Sequence, residues 1–119
     1  MRAMIQFLSN PAYRTIWIIG GGILLILSAL PMLYKCVKPN HWYGFRTPKT
    51  LSDERIWYPA NSYAAKWMIL TGMITIVVAG VLRLTDVPPI KYQLLCSSTF
   101  LGGLILTLIM SLIYLRKLP

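Results

Sequence analysis

Apolar residues in this chain come in long blocks, with polar residues gathered between them. Thr15 to Tyr34, TIWIIGGGILLILSALPMLY, runs for twenty positions without a charge. A helix of that length crosses a hydrocarbon core of roughly 30 Å. Trp67 to Leu82 is shorter, but Lys66 and Arg83 flank it, and such side chains extend their charged heads to the interfaces. Leu94 to Leu115 is again uninterrupted. The pattern predicts an all-α membrane protein with three transmembrane helices, over about 15–34, 64–84 and 93–115. A structured, partly helical loop, 38–63, joins the first helix to the second. With 119 residues the chain has room for one such domain, 1–119.

Small and hydroxylic residues mark the faces along which these helices would pack. Gly20, Gly21 and Gly22 leave a flat patch on the first span, and Pro31 is expected to kink its last turn. Thr71, Thr75 and Ala79 recur every fourth residue in the second span, flanked by Gly72 and Gly80. Thr99, Gly103, Thr107 and Ser111 do the same in the third. Such stripes let membrane helices approach closely, within one bundle or between copies of the chain. A rival reading has the threonine rows lining a transport path, although no ionisable residue stands in mid-membrane to mark an ion route. RLTDVPPIKY, stiffened by Pro88-Pro89, predicts a tight antiparallel hairpin of the second and third spans. The first ten residues, MRAMIQFLSN, predict a short amphipathic piece on the membrane surface, ending at a helix-start signal, Asn10-Pro11.

Composition agrees: 56% of residues are apolar and 13% charged, away from the balance of a soluble globular protein. The first span is expected to be retained, since SALPMLYKC offers no small-residue cleavage site. A net charge of +9 would suggest nucleic acid in a soluble protein. Here the bias of Lys and Arg toward the cytoplasmic side accounts for it, and no direct nucleic-acid contact is expected. Three spans place Arg2, Arg14, Arg83 and Lys91 on one side, against Lys35, Lys38, Arg46, Lys49, Arg55, Lys66, Arg116 and Lys117 on the other. That distribution predicts a cell membrane protein with its amino terminus outside, and its carboxyl terminus and first loop in the cytoplasm. Cys36 and Cys96 fall near opposite ends of the bundle and are expected to remain free thiols.

The loop is too long for a turn, and its Trp42, Tyr43, Phe45, Trp57 and Tyr58 are unlike the polar composition of disordered linkers. Pro39 and Asn40 end the first helical region, and Gly44 permits a backbone conformation closed to other residues. Arg46, beside Phe45 and near Trp42, is placed to stack on rings, to bond helix-end carbonyls, or to contact a lipid phosphate or an acidic partner group. Thr50, three residues before Asp53, suggests a capping box, with Asp53 and Glu54 in the first turn of a helix broken or kinked near Pro59. Asn61 would cap the second span or bind loop backbone. Interfacial anchoring alone also accounts for many of these aromatics.

PNHWYGFRTPKTLSDERIWYPAN resembles the signature of the SdpI family of small bacterial multi-span membrane proteins. The matching positions are Asn40, Tyr43, Gly44, Phe45, Arg46, Thr47, Pro48, Thr50, Ser52, Trp57 and Asn61. The resemblance implies immunity: resistance to a secreted membrane-active peptide toxin, exerted by binding, with a signalling role that engages a cytoplasmic regulator. It implies a bacterial inner-membrane location, with lipids and the toxin as partners. Neither an enzyme nor a cofactor is expected. Cys36 and His41 fall two ligands short of a structural zinc site even before geometry is asked for. His41 with Ser52, Asp53 or Glu54 shows no recognised catalytic spacing.

Overall fold

A computed structural model describes the backbone of residues 1–119 and the side chains of residues 1–6 and 10–119. It is all-helical, with α1 over Arg2–Ser9, α2 over Pro11–Leu33, α3 over Pro48–Ser52, α4 over Glu54–Arg83 and α5 over Pro89–Arg116. Helices α2, α4 and α5 are long and apolar enough to cross a membrane, and each overlaps one predicted span, α2 ending at Leu33 and α4 at Arg83. The short helix α1 leaves its side chains at 2–6 exposed.

Local sequence sets the ends of these helices. Asn10 caps α2, its Oδ1 accepting from the Ala12 amide at 2.9 Å, and Pro11 follows at the first helical position, where its missing N–H is no loss. The other end of α2 closes through two reversed bonds, Cys36 N to Pro31 O at 2.8 Å and Lys35 N to Met32 O at 3.2 Å. Lys35 stands in left-handed conformation there, φ 60°, at the position where glycine is usual.

Helix α4 corrects two expectations. It runs unbroken through Pro59, so one helix of 30 residues replaces a short loop helix and a separate span. The proline removes only the donor to the Arg55 carbonyl, on a residue that is exposed. The capping register also differs. Thr47, not Thr50, is the N-cap of α3, in a reciprocal box with Thr50, while Asp53 caps α4 by accepting from the Arg55 amide at 2.8 Å. Thirty residues extend about 45 Å, well beyond the hydrocarbon thickness. The first turns of α4 therefore project from the membrane as a platform.

Helix α4 is also the centre of the bundle. It packs along both α2 and α5, which meet each other only slightly. Against α2 the contact is backbone to backbone: a Cβ on Gly72 would stand 2.7 Å from the Gly22 carbonyl oxygen, and one on Gly22 would stand 3.0 Å from that of Gly72. Against α5, Gly103 accommodates Thr71, whose hydroxyl lies 3.4 Å from that of Thr107. Thr71, Thr75, Ala79, Thr107 and Ser111 are all buried, at helix contacts as the packing reading expects, whereas Thr99 is not buried and donates to the Leu95 carbonyl of its own helix. Gly20, Gly21 and Gly80 face open space instead and have no part in the contact. Toward the outside the chain presents Leu24, Leu27, Met73, Val77, Leu101 and Ile105, a surface suited to lipid. The hairpin of α4 and α5 is closed by packing of Ala79, Tyr92 and Cys96, with Val87 from the connecting turn. Cys36 and Cys96 are free thiols, Cys36 exposed and Cys96 buried.

Candidate functional site

The loop folds back over the projecting end of α4, and Asn61 is the residue that fastens it. Asn61 is 2% exposed. Its Oδ1 accepts from the Phe45 amide at 2.6 Å, and its Nδ2 donates to the Phe45 carbonyl at 3.2 Å and to the Trp57 carbonyl at 3.0 Å. One side chain thus pairs both polar groups of a loop residue, as a neighbouring strand would. One turn earlier, the wholly buried Trp57 donates from Nε1 to the Val37 carbonyl at 2.8 Å. Ser62 donates to the Leu33 carbonyl at 3.1 Å, tying α4 to the end of α2.

Gly44 lies directly over this pair, at φ +108°. A Cβ there would stand 2.7 Å from Asn61 Oδ1 and 3.3 Å from the Trp57 ring. Conformation and space both demand glycine. Upstream, Asn40 forms a local turn, its Oδ1 accepting from the Trp42 and Tyr43 amides at 2.8 and 2.7 Å while its Nδ2 donates to the Lys38 carbonyl at 2.7 Å. Downstream, Pro48 takes the first position of α3 behind the cap Thr47. Thr50 is fully buried, with its hydroxyl 3.1 Å from the Phe45 and Thr47 carbonyls. Ser52 is exposed and donates to the Lys49 carbonyl at 2.6 Å.

Arg46 points outward. Its guanidinium donates to the His41 carbonyl, and among the described residues it stacks on no ring, which corrects that part of the expectation. His41, Trp42 and Arg46 are all exposed, Trp42 by 90%. The eleven signature residues therefore divide. Asn40, Gly44, Phe45, Thr47, Pro48, Thr50, Trp57 and Asn61 build the loop, Tyr43 and Phe45 also face a crevice, and Arg46 and Ser52 lie on its outer surface.

That crevice, of about 310 Å³, lies beneath the loop. Met32 of α2 stands on one side, Leu104, Thr107, Leu108 and Ser111 of α5 on the other, Ala64 and Met68 of α4 form its floor, and Tyr43 to Phe45 close its end. Burial pushes the Tyr43 phenol above its ordinary pKa. Ser111 is 1% exposed, and its Oγ has no hydrogen-bond partner among the described residues. An unmatched buried hydroxyl costs about 1–3 kcal/mol, and a hydrogen-bonding occupant of the crevice would offset that.

Two contributors escaped the sequence reading. Lys49 donates from Nζ to the Leu115 and Leu118 carbonyls at 2.8 and 2.7 Å, holding the end of α5 against α3. Tyr63 and Tyr114 stack with ring centroids 4.1 Å apart. A lysine among six basic loop-side residues carries no signal of such a role, but a tyrosine just before the second span and another near the end of the third, at matching depth, could have suggested the stack. No group of three or more metal-ligating side chains occurs among the described residues.

With this geometry in hand, comparison with known proteins is specific. A family model described as the SdpI/YfhL protein family matches residues 35–115, from the end of α2 through α5. The chain belongs to the SdpI/YfhL family. Two curated relatives from Bacillus subtilis (strain 168) are similar to it. The uncharacterized protein YfhL is 41% identical over 57 residues, 48% of this chain and 52% of that protein. The immunity protein SdpI is 38% identical over 61 residues, 51% of this chain and 28% of that protein. The matches thus cover about half of one relative and under a third of the other. No solved structure matches. Membership of the SdpI/YfhL family, together with three membrane-spanning helices, makes this a bacterial membrane protein.

Proposed function

We propose that this SdpI/YfhL-family protein is an immunity factor that binds a secreted, membrane-active peptide within the bilayer rather than acting as an enzyme. The relationship to the immunity protein SdpI carries this reading. The crevice under the loop supplies a place for it. Walls of leucine and methionine suit an apolar peptide segment, and the unpaired Ser111 hydroxyl suits a polar group on that segment. Binding there would either sequester the toxin or keep it from assembling. The signature loop forms the closed end of the same crevice, so occupancy would bear on Tyr43 and Phe45 and, through them, on the exposed face of His41, Trp42 and Arg46. That face is the surface offered to a cytoplasmic regulator. The excess of basic residues on the loop side supports a cytoplasmic loop and an amino terminus outside.

The experiment is survival of a toxin-sensitive bacterium expressing the chain, challenged with the secreted peptides that family members resist. Wild type is expected to protect. Ser111→Phe, which fills the crevice, should lose protection at unchanged membrane expression, whereas Gly80→Leu, on an open helix face, should keep it. Equal protection by Ser111→Phe would move binding out of the crevice, and no protection against any such peptide would overturn the immunity reading.

A further inference from the structure

The end of the bundle away from the loop carries a second polar cluster, unused by the immunity reading and independent of it. The start of α2, the end of α4 and the turn into α5 enclose a cavity of about 320 Å³, whose lining includes Arg14, Thr15, Arg83, Asp86, Pro88 and Tyr92. Two guanidinium-bearing residues thus share the lining with one carboxylate, in a chain with three acidic residues in all.

The hydroxyls of this cavity serve the walls. Thr15 Oγ1 and Tyr92 OH are 2.8 Å apart, and Tyr92 OH also lies 3.3 Å from the Ala79 carbonyl, so the starts of α2 and α5 are held at fixed spacing. Arg83 is exposed and makes no hydrogen bond or ion pair among the described residues. Three other cations of the chain are engaged within it: Lys49 on helix-end carbonyls, Arg46 on the His41 carbonyl, and Arg55 on Asp53 at 3.4 Å. The amino end of α5 opens on the same cavity without a side-chain cap, and its dipole adds to the positive potential. Arg83 closes the second apolar block, at the level where a bilayer places its phosphates. Leu82, Val87 and Pro89 supply an apolar side.

We infer that this cavity binds a phosphate group, held between Arg14 and Arg83, from a phospholipid headgroup or from inorganic phosphate. A tetrahedral oxyanion fits two planar guanidinium forks better than a single point charge does. Asp86, on the same wall, accepts hydrogen bonds from the hydroxyl or ammonium that a lipid headgroup adds to its phosphate.

The test uses the full chain purified in detergent and titrated with dihexanoyl phosphatidylglycerol, with dihexanoyl glycerol as the phosphate-free match, and with inorganic phosphate. Binding is read by calorimetry and by the shift in thermal midpoint. The phosphate-bearing lipid should bind and the phosphate-free one should not. Arg83→Gln should weaken binding by about tenfold, as should Arg14→Gln, while Arg116→Gln, at the opposite end, leaves it unchanged. Arg14→Lys, which keeps the charge, should retain part of the affinity and shows whether a loss at Arg14 is one of folding. Competition by inorganic phosphate at equal concentration assigns the site to free phosphate, and its absence assigns the site to the lipid. Equal binding of both lipids, or equal losses in Arg83→Gln and Arg116→Gln, would overturn the inference.

Discussion

Asn61 and Gly44 show how much one residue can decide. Asn61→Leu keeps the volume but leaves the Phe45 amide without an acceptor, while the Phe45 carbonyl keeps the Thr50 hydroxyl, a loss of about 1–3 kcal/mol on the scale for an unmatched buried group. Thermal unfolding in detergent should register it as a lower midpoint. Gly44→Ala places a methyl where only glycine conformation fits, so folded yield should fall although the added group is small. Lys35 is the opposite case: it occupies the left-handed end of α2 at a cost glycine would not bear, so Lys35→Gly should stabilise the fold by about 0.5–1 kcal/mol. The Arg55 amide, donating to the Asp53 carboxylate, holds that group below its ordinary pKa. A lowered folded-state pKa means the stabilisation is present above the unfolded value, about 3.9, and fades as pH falls through the lower folded value. An NMR titration should place the Asp53 midpoint below that of a free aspartate.

At the scale of elements, the three spans were legible because a long uncharged block has few alternatives in a membrane. The loop's dependence on Gly44 and Asn61 was legible too, since a glycine among large aromatics and an asparagine ahead of an apolar run have specific uses. Two local signals misled. Pro59 reads as a break, yet a helix near its start tolerates the loss of one donor when the freed carbonyl belongs to an exposed residue. Thr50 reads as a cap facing Asp53, but Thr47-Pro48 is the stronger start, with proline already shaped for the first turn. Pro59→Ala should therefore restore one helical bond without changing the course of α4, raising the thermal midpoint and slowing amide exchange around Arg55 to Tyr63. Lys49 and the crevice were hidden because both depend on which faces of distant helices meet, and spacing within one helix does not report that.

For the whole molecule, the close approach of α2 and α4 rests on two glycines. Gly22→Val and Gly72→Val should each separate these helices and cost about 1–3 kcal/mol, whereas Gly80→Val and Gly102→Val, with nothing near, should fall within about 0.5 kcal/mol of wild type. Unfolding of the four variants in one detergent checks the contrast.

The sparse contact between α2 and α5 gives the bundle a mechanical character. The two outer helices are pinned together at one end, where Thr15 meets Tyr92, and at the other end α5 is moored to α3 by Lys49. A body wedged between them near the loop has no α2–α5 seam to tear, and it would swing α5 about the pinned end like the jaw of a clothes-peg. The lysine mooring would then draw α3 along with it.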